Sequence, residues 1–181
     1  IFPNLQRTMH KKNQVANYGS PYGNFISFQS KAGNKFRSCA KNKEWNNSAG
    51  NDFYNDLVGP MLKESLEVET WTHGLEPGTL EGDKVHHIMA MKTVNLAPLG
   101  ISPLYEWSEE NDHAKLVISQ KGQQEHFVCV GDINFTRTME RRSGGTVAFQ
   151  NNDLWNSLFE ILSSANIKTK NSNSKGATAT E

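Results

Sequence analysis

Residues 111–150 read NDHAKLVISQKGQQEHFVCVGDINFTRTMERRSGGTVAFQ, and this stretch decides both the fold and the candidate site. Two apolar runs, LVIS at 116–119 and FVCVGDIN at 127–134, flank a polar segment that contains Gly122. Short runs rich in β-branched and aromatic residues on either side of a glycine-bearing turn are typical of a β-hairpin. The stretch therefore predicts two paired strands, with polar and charged residues before the first strand and at the end of the second.

His113 and Lys115 lie two residues apart where the first run begins. Residues i and i+2 of a strand share one face, so the imidazole and the ammonium are expected to point into the same space. This pair suits attack on a phosphodiester, because imidazole can handle the covalent step or the proton while lysine stabilises the phosphate oxygens. The motif alone has low specificity, since His10 and Lys12 form a second copy.

Polar groups with phosphate-binding chemistry follow the second run. Asp132 and Asn134 lie at its end, and Arg142 precedes the glycine pair Gly144 and Gly145. A carboxylate, an amide, a guanidinium and backbone N–H groups can orient an imidazole or bind phosphate oxygens. We expect Asp132, Asn134 and Arg142 to support the site. Asp132 either orients His113 or shapes the loop, and the glycine pair is equally explained by a tight turn.

These motifs, in this order, resemble the C-terminal half of deoxyribonuclease II, including its plancitoxin-like branch. The matching segments are DHAK at 112–115, SQKG at 119–122, CVGDIN at 129–134, RSGGT at 142–146, LW at 154–155, and upstream SKAG at 30–33 with FRSCAK at 36–41. The resemblance covers residues 24–162, and its combined motifs are far more specific than any one of them.

That family is similar to phospholipase D-like enzymes, which build one active site from two His-x-Lys motifs in two related halves. The resemblance implies an acid endodeoxyribonuclease acting on DNA through a phosphohistidine, with 3′-phosphate products and no metal or other cofactor. His113 and Lys115 would be catalytic, and Asn134 would help to bind the phosphate. A lysosomal or secreted location is implied as well.

The sequence departs from the family pattern at several positions. Ser143 replaces a glycine, Ala148 a cysteine, and Phe135 an arginine that often follows the asparagine. One His-x-Lys half is recognisable and Ile1 opens the chain without a signal peptide, so we expect a fragment or a processed product. A missing N-terminal half or a second copy would complete the site.

Two other functions compete with the nuclease. A secreted relative without catalysis could bind nucleic acid or a protein partner, and the substitutions at 135, 143 and 148 keep this alternative open. A phospholipase D-like lipid hydrolase has less support, because the residues around His113 match the nuclease branch better.

Composition excludes several classes of protein. The 181 residues carry 19 basic and 19 acidic side chains, so any DNA contact must come from local patches. An apolar run of membrane-spanning length is absent, so we expect no membrane partner. Neither a metal-ligand spacing nor a disulfide framework appears. Cys129 occupies a family disulfide position; Cys39 is a candidate partner, although two unpaired buried thiols are the preferred interpretation.

The predicted organisation has an irregular lead-in at 1–23, one domain at 24–162 and a disordered tail at 163–181. Alternating strands and helices indicate an α/β fold, and the resemblance implies one half of a phospholipase D-like sandwich, a mixed β-sheet flanked by helices. We expect strands at 25–28, 66–71, 85–96 and 146–149, a helix after Asn51 or Asp52 that kinks at 59–60, and a helix capped by Asn152 or Asp153 with Leu154 on its apolar face. The basic segment 31–43 is predicted as a loop, either solvated or steering phosphate.

Overall fold

The computed structural model describes residues 23–46, 51–71, 85–101 and 105–162. The predicted tail and nearly all of the predicted lead-in lie outside these ranges, as do His10 and Lys12. Gly23 already belongs to the first strand. The strands are β1 (Gly23–Gln29), β2 (Lys35–Lys41), β3 (Leu66–Thr70), β4 (Ile88–Ala90), β5 (Thr93–Asn95), β6 (Glu106–Ser108), β7 (Lys115–Ser119), β8 (Phe127–Gly131) and β9 (Gly144–Gln150).

Seven of these strands form one sheet in the order β1-β2-β9-β8-β7-β3-β4. β3 and β4 run parallel, whereas the other neighbouring pairs of this sheet are antiparallel. β5 and β6 form a separate antiparallel pair. The prediction of a mixed sheet is confirmed, and β7, which follows the His-x-Lys motif, lies inside the sheet between β8 and β3.

The predicted hairpin is confirmed as β7 and β8. Val117 pairs with Cys129 and Leu116 with Val130, so the two apolar runs lie side by side. Gly122 in the connecting turn has a φ of 84°, a conformation that glycine adopts without the steric penalty of a side chain. The local pattern was sufficient here, because β-branched and aromatic runs and turn chemistry are both properties of neighbouring residues.

Helix α1 covers one face of the sheet, and it begins where the sequence predicted. Tyr54–Val58 forms a π-helical turn and Gly59–Leu62 continues as α-helix. The Asp52 Oδ1 atom accepts hydrogen bonds from the N–H groups of Tyr54 and Asn55, at 2.9 and 2.8 Å, so Asp52 is the cap. At 59–60, where the sequence predicted a kink or a split, the helix continues without a gap and changes from π to α geometry.

Helix α2, residues 152–162, covers the opposite face. The predicted cap was wrong: Asn151 accepts the N–H of Leu154 through Oδ1 at 2.9 Å, because the chain turns one residue earlier. Leu154 is 39% exposed and lies off the buried face. Trp155 is buried and donates through Nε1 to the Ser119 carbonyl at 2.8 Å, so it anchors the helix to the core. Burying such a side chain stabilises the fold by roughly 2–3 kcal/mol.

The long strand predicted at 85–96 was wrong. The chain forms β4, leaves the sheet at Met91, and forms β5 in the separate pair. Met91 is buried, and its N–H still donates to the Val68 carbonyl at 2.8 Å. The next residue, Lys92, accepts from the Glu109 N–H at 3.0 Å, which draws the chain toward β6. Partners distant in sequence therefore break a run that has continuous strand character.

The basic segment 31–43 is largely a strand, not the predicted loop. β2 pairs with β1 on one side and β9 on the other. Arg37 lies over the Phe127 ring, with 4.8 Å from its guanidinium carbon to the ring centroid. Lys41 is buried at the end of the strand. Pairing with β9, more than 100 residues away, decides this structure.

Candidate active site

His113 and Lys115 lie where β7 enters the sheet. Lys115 opens the strand and pairs in register with Thr70 of β3. The imidazole of His113 is exposed just before the start of β7 and stacks on Trp71, with ring centroids 4.7 Å apart and planes tilted by 31°. Trp71 directly follows β3, so antiparallel pairing delivers it to the imidazole. The sequence alone gave Trp71 no role, because this contact depends on β3 and β7 being neighbours.

Asp112 fixes the backbone that carries the imidazole. Its Oδ1 accepts the N–H of Ala114 at 2.7 Å, and its Oδ2 accepts the Nε1–H of Trp107 at 2.6 Å. One carboxylate thus spans His113 and ties it to the β6 segment. Hydrogen bonds to a charged acceptor are stronger than neutral ones, so this carboxylate restrains the direction in which the imidazole points.

The ammonium of Lys115 folds back onto its own motif. Its Nζ donates to the carbonyl oxygen of His113 at 2.5 Å. A lysine ammonium has three donors, and this carbonyl uses one of them. The positive charge therefore lies beside the backbone of His113, where an anion bound to the imidazole would meet it.

Gly131 and Asp132 make a tight link to β9. The Asp132 N–H donates to the Gly145 carbonyl at 3.1 Å, and the Asp132 Oδ1 accepts the Gly145 N–H at 2.7 Å. A Cβ atom on Gly131 would lie 2.5 Å from the Gly145 oxygen, so this position requires glycine. These contacts show Asp132 shaping the turn, one of its two predicted roles.

Asn134 is held at the same end of the sheet as the His-x-Lys motif. The flanking Ile133 carbonyl accepts from the Tyr54 hydroxyl at 2.5 Å, and the Phe135 N–H donates to the Thr70 Oγ1 at 2.9 Å. Because Thr70 pairs with Lys115, these bonds connect the asparagine turn directly to β7. The tertiary structure therefore brings Asn134 to the neighbourhood of the predicted catalytic pair.

Two buried polar atoms in this region lack hydrogen-bond partners among the described residues. They are the Oδ1 of Asn134, in a residue 5% exposed, and the Oγ1 of Thr146, in a residue 3% exposed. A buried polar group without a partner is destabilising, and most such groups in native proteins are satisfied by protein, water or ligand. Thr146 pairs with Gly131, so its hydroxyl lies beside the Asp132 turn. Sequence analysis named Asn134 but missed Thr146.

The main-chain carbonyl of Arg142, and not its side chain, makes the contact that fixes this residue. The buried Lys41 donates through Nζ to the carbonyls of Met139 and Arg142, at 3.0 and 2.6 Å. The ammonium thus fixes the 3₁₀ segment Arg137–Arg141 and the start of β9, while the side chain of Arg142 is exposed. Lys41 was visible only as one of several basic residues. Its burial depends on β2 pairing with β9.

A buried carboxyl group lies behind the His-x-Lys strand. Glu69 is 1% exposed, and neither carboxylate oxygen has a hydrogen-bond partner among the described residues. Burial, reinforced by the negative charges of Asp112 and Glu109, raises the pKa of Glu69 to about 8. Glu69 precedes Thr70, so its side chain points to the opposite face from Lys115. Its charge state therefore bears on Asp112 and the backbone it holds.

The two cysteines are buried free thiols, as predicted. Burial raises the pKa of Cys39 to about 12 and the pKa of Cys129 still further. Cys129 pairs directly with Ala148, the position where the resembled family carries cysteine. Neither thiol is activated as a nucleophile.

Within the described ranges, His, Cys, Asp and Glu side chains form no group of three or more with an arrangement that could hold a metal ion. In the same part of the chain, no helix combines the length and apolar character that a membrane crossing requires.

The structure thus defines an α/β protein with a mixed sheet, and a His-x-Lys pair at the end of an interior strand beside a buried asparagine turn. Comparison with known sequences then identifies its family. The chain belongs to the deoxyribonuclease II family, whose family model matches residues 1–167.

Relatives from bacteria to mammals share this similarity. A putative deoxyribonuclease-2 of Burkholderia thailandensis is 44% identical over 135 residues, covering 75% of this chain and 36% of that protein. Cell death-related nuclease 6 of Caenorhabditis elegans is 33% identical over 161 residues, covering 84% of this chain and 40% of the relative. Human deoxyribonuclease-2-beta is 30% identical, with 69% and 32% covered. The chain therefore spans well under half the length of these relatives.

Proposed function

We propose that this chain supplies one His-x-Lys half of a metal-independent acid endodeoxyribonuclease. One observation supports this most directly: His113 directly precedes an interior strand that Lys115 opens, beside a turn that buries Asn134 with an unpartnered oxygen. Imidazole, ammonium and amide are the groups that phosphoryl transfer without a metal requires. Membership of the deoxyribonuclease II family makes DNA the substrate to test first.

The proposed reaction uses two imidazoles. One attacks phosphorus and forms a nitrogen–phosphorus bond as the bond to the 5′ oxygen breaks, while the other, protonated, gives its proton to that oxygen. Water then cleaves the phosphohistidine and leaves a 3′-phosphate end. Lys115 neutralises charge on the phosphoryl oxygens, with Asn134 and Arg142 in support. The acid imidazole must carry a proton, which favours acidic pH.

A second His-x-Lys motif is needed for this chemistry. It comes either from the rest of a longer chain or from a second copy of this one. The short span of the chain relative to its relatives is compatible with the first source. We further propose that the intact protein is lysosomal or secreted, where acidic conditions or extracellular DNA would be met.

One observation favours the non-catalytic alternative. Phe135, at the position where the family often has arginine, is 5% exposed and packs edge-on against Tyr54, with ring centroids 5.6 Å apart. A core aromatic residue has thus taken the place of a cation, and one source of phosphate affinity is lost. A protein of this kind would retain DNA, or a protein partner, without cleaving it.

Plasmid nicking at about pH 5 in EDTA tests the proposal. The unchanged chain, His113→Ala and the matched control His87→Ala are assayed together; His87 is an exposed histidine outside the motif. If two copies of this chain complete the site, we expect nicking by the unchanged chain and His87→Ala, loss in His113→Ala, and product ends that a polymerase cannot extend because they carry 3′-phosphate. Light scattering on the same samples identifies the active species. The non-catalytic alternative would be supported instead if His113→Ala retained DNA as well as the unchanged chain and a two-copy species did not nick the plasmid.

A further inference from the structure

A concave site lies at the turn end of the β7–β8 hairpin, opposite the end that carries His113. This cleft has a volume of about 480 Å³ and is lined by Gln124, Glu125, His126, Gln150, Asn151 and Asn152. His126 precedes β8, whereas Asp132 follows that strand. At about 3.3 Å per residue, the cleft is roughly 20 Å from the Asp132 turn. It is therefore separate from the site proposed for phosphoryl transfer.

A stack of three rings ends in this cleft. The His126 imidazole lies flat on Trp155, with centroids 4.0 Å apart and planes within 7°, and Trp155 lies on Phe159 at 5.1 Å and 11°. Trp155 is buried, whereas His126 is half-buried and lines the cleft. One face of the imidazole is thus covered by indole, while the ring borders the cleft.

The platform is rigid because Ser119 holds it at three points. The buried Ser119 hydroxyl donates to the Glu125 carbonyl at 2.7 Å and accepts the Phe127 N–H at 2.9 Å, so both neighbours of His126 are fixed. The Ser119 carbonyl accepts from the Trp155 indole at 2.8 Å. A surface whose rotamers are already restrained loses little entropy when a ligand binds.

The rest of the lining matches the edge of a nucleobase. Gln124, Gln150 and Asn152 offer amide donors and acceptors, and Glu125 offers a carboxylate that the Gln150 amide orients by hydrogen bonding. A carboxylate accepts hydrogen bonds from exocyclic amino groups such as N4 of cytosine, and amides pair with N6 and N7 of adenine. The same carboxylate repels phosphate, so the cleft suits a neutral ring with amino groups.

We propose that this cleft is a subsite for an unpaired nucleobase that carries an amino group, adenine or cytosine. The base stacks on His126 and its amino group donates to Glu125. Bases within a duplex are already stacked and paired, so the occupant comes from a single-stranded segment. This inference rests on the proposed function, because it gives the nuclease a second DNA contact about 20 Å from the reacting phosphate.

Fluorescence anisotropy with short labelled oligonucleotides in EDTA tests the subsite. Oligodeoxycytidine and oligodeoxyadenosine are expected to bind about tenfold more tightly than oligodeoxythymidine, because thymine can stack on the imidazole but has no amino group to donate to Glu125. His126→Ala should lower the affinity for the first two by about that factor. Glu125→Gln should reduce the preference over thymidine, because an amide nitrogen replaces a carboxylate oxygen. His87→Ala is the histidine-matched control.

The variant Asn152→Ala distinguishes a loss of oligonucleotide binding from a loss of folding. Asn152 is exposed and lines the cleft without taking part in the ring stack, so its truncation should weaken oligonucleotide binding while the thermal unfolding midpoint stays unchanged. Equal affinity for the three oligonucleotides, or binding unaffected by both His126→Ala and Asn152→Ala, would overturn the subsite. Base-selective binding without nicking by a two-copy species would leave the subsite standing and count against the nuclease, so the two failures are distinguishable.

Discussion

Trp71 lies against the imidazole of His113, with the two ring centroids 4.7 Å apart. Aromatic pairs of this geometry contribute about 0.5–1.5 kcal/mol beyond the area they bury. A double-mutant cycle of Trp71→Leu and His113→Ala, measured by urea unfolding, should give a coupling free energy in that range. Trp71→Leu with His87→Ala should be additive, because His87 lies beside Leu66 at the other end of β3. Additivity in both cycles would show that the stack contributes nothing.

Glu69 should make the protein less stable as the pH rises. Below its ordinary pKa of 4.5 the carboxyl group is protonated in both the folded and unfolded states. Between 4.5 and the folded-state pKa of about 8, the unfolded state releases the proton while the folded state keeps it. The folded state then binds more protons, so the free energy of unfolding falls with increasing pH across this window.

Glu69→Gln tests this linkage because glutamine stays neutral. The fall between pH 4.5 and about 8 should become smaller by on the order of 5 kcal/mol, the free-energy equivalent of the pKa shift. Chemical denaturation at several pH values measures it, with Glu110→Gln, an exposed carboxylate, as the control. Identical pH profiles for the two variants would contradict the assignment of a raised pKa to Glu69.

Lys41→Met should loosen the segment that leads to Arg142. The buried ammonium donates to two carbonyl oxygens there, and hydrogen bonds to charged groups contribute roughly 1.5–3 kcal/mol. We expect a loss of stability of that size and faster trypsin cleavage after Arg141 and Arg142, followed by mass spectrometry. Lys43→Met is the control: the Lys43 side chain is 68% exposed, so its replacement removes an equal charge and should leave the cleavage rate unchanged.

Asp132 variants separate the two roles that the sequence left open. If the carboxylate shapes the turn by accepting the Gly145 N–H, Asp132→Asn keeps an acceptor oxygen and should retain most of the stability, whereas Asp132→Ala should lose about 1–3 kcal/mol. Thermal unfolding and plasmid nicking are measured on both. If both variants lose nicking equally while Asp132→Asn keeps its stability, the negative charge of Asp132 orients the His113 imidazole instead.

Local pattern was enough for the elements whose partners are close in sequence. The apolar runs at 116–119 and 127–134, with a glycine-bearing turn between them, gave the hairpin, and the short polar side chain of Asp52 gave the helix start. That β7 is an interior strand follows only from the sheet order. The run at 85–96 misled the prediction, because its strand character is continuous while its hydrogen-bond partners lie in different places: Val68 in β3 of the large sheet and Glu109 directly after β6 of the separate pair.

By itself the sequence determined the hairpin, the family and the residue types of the candidate site, since these follow from local spacing and from motif order. Tertiary structure alone decided which groups surround that site. Trp71 reaches His113 because β3 pairs with β7, Lys41 is buried because β2 pairs with β9, and Asn134 is anchored through Thr70. These contacts join residues tens of positions apart. Chain closure over such distances depends on the whole sheet forming, which no local window of sequence encodes.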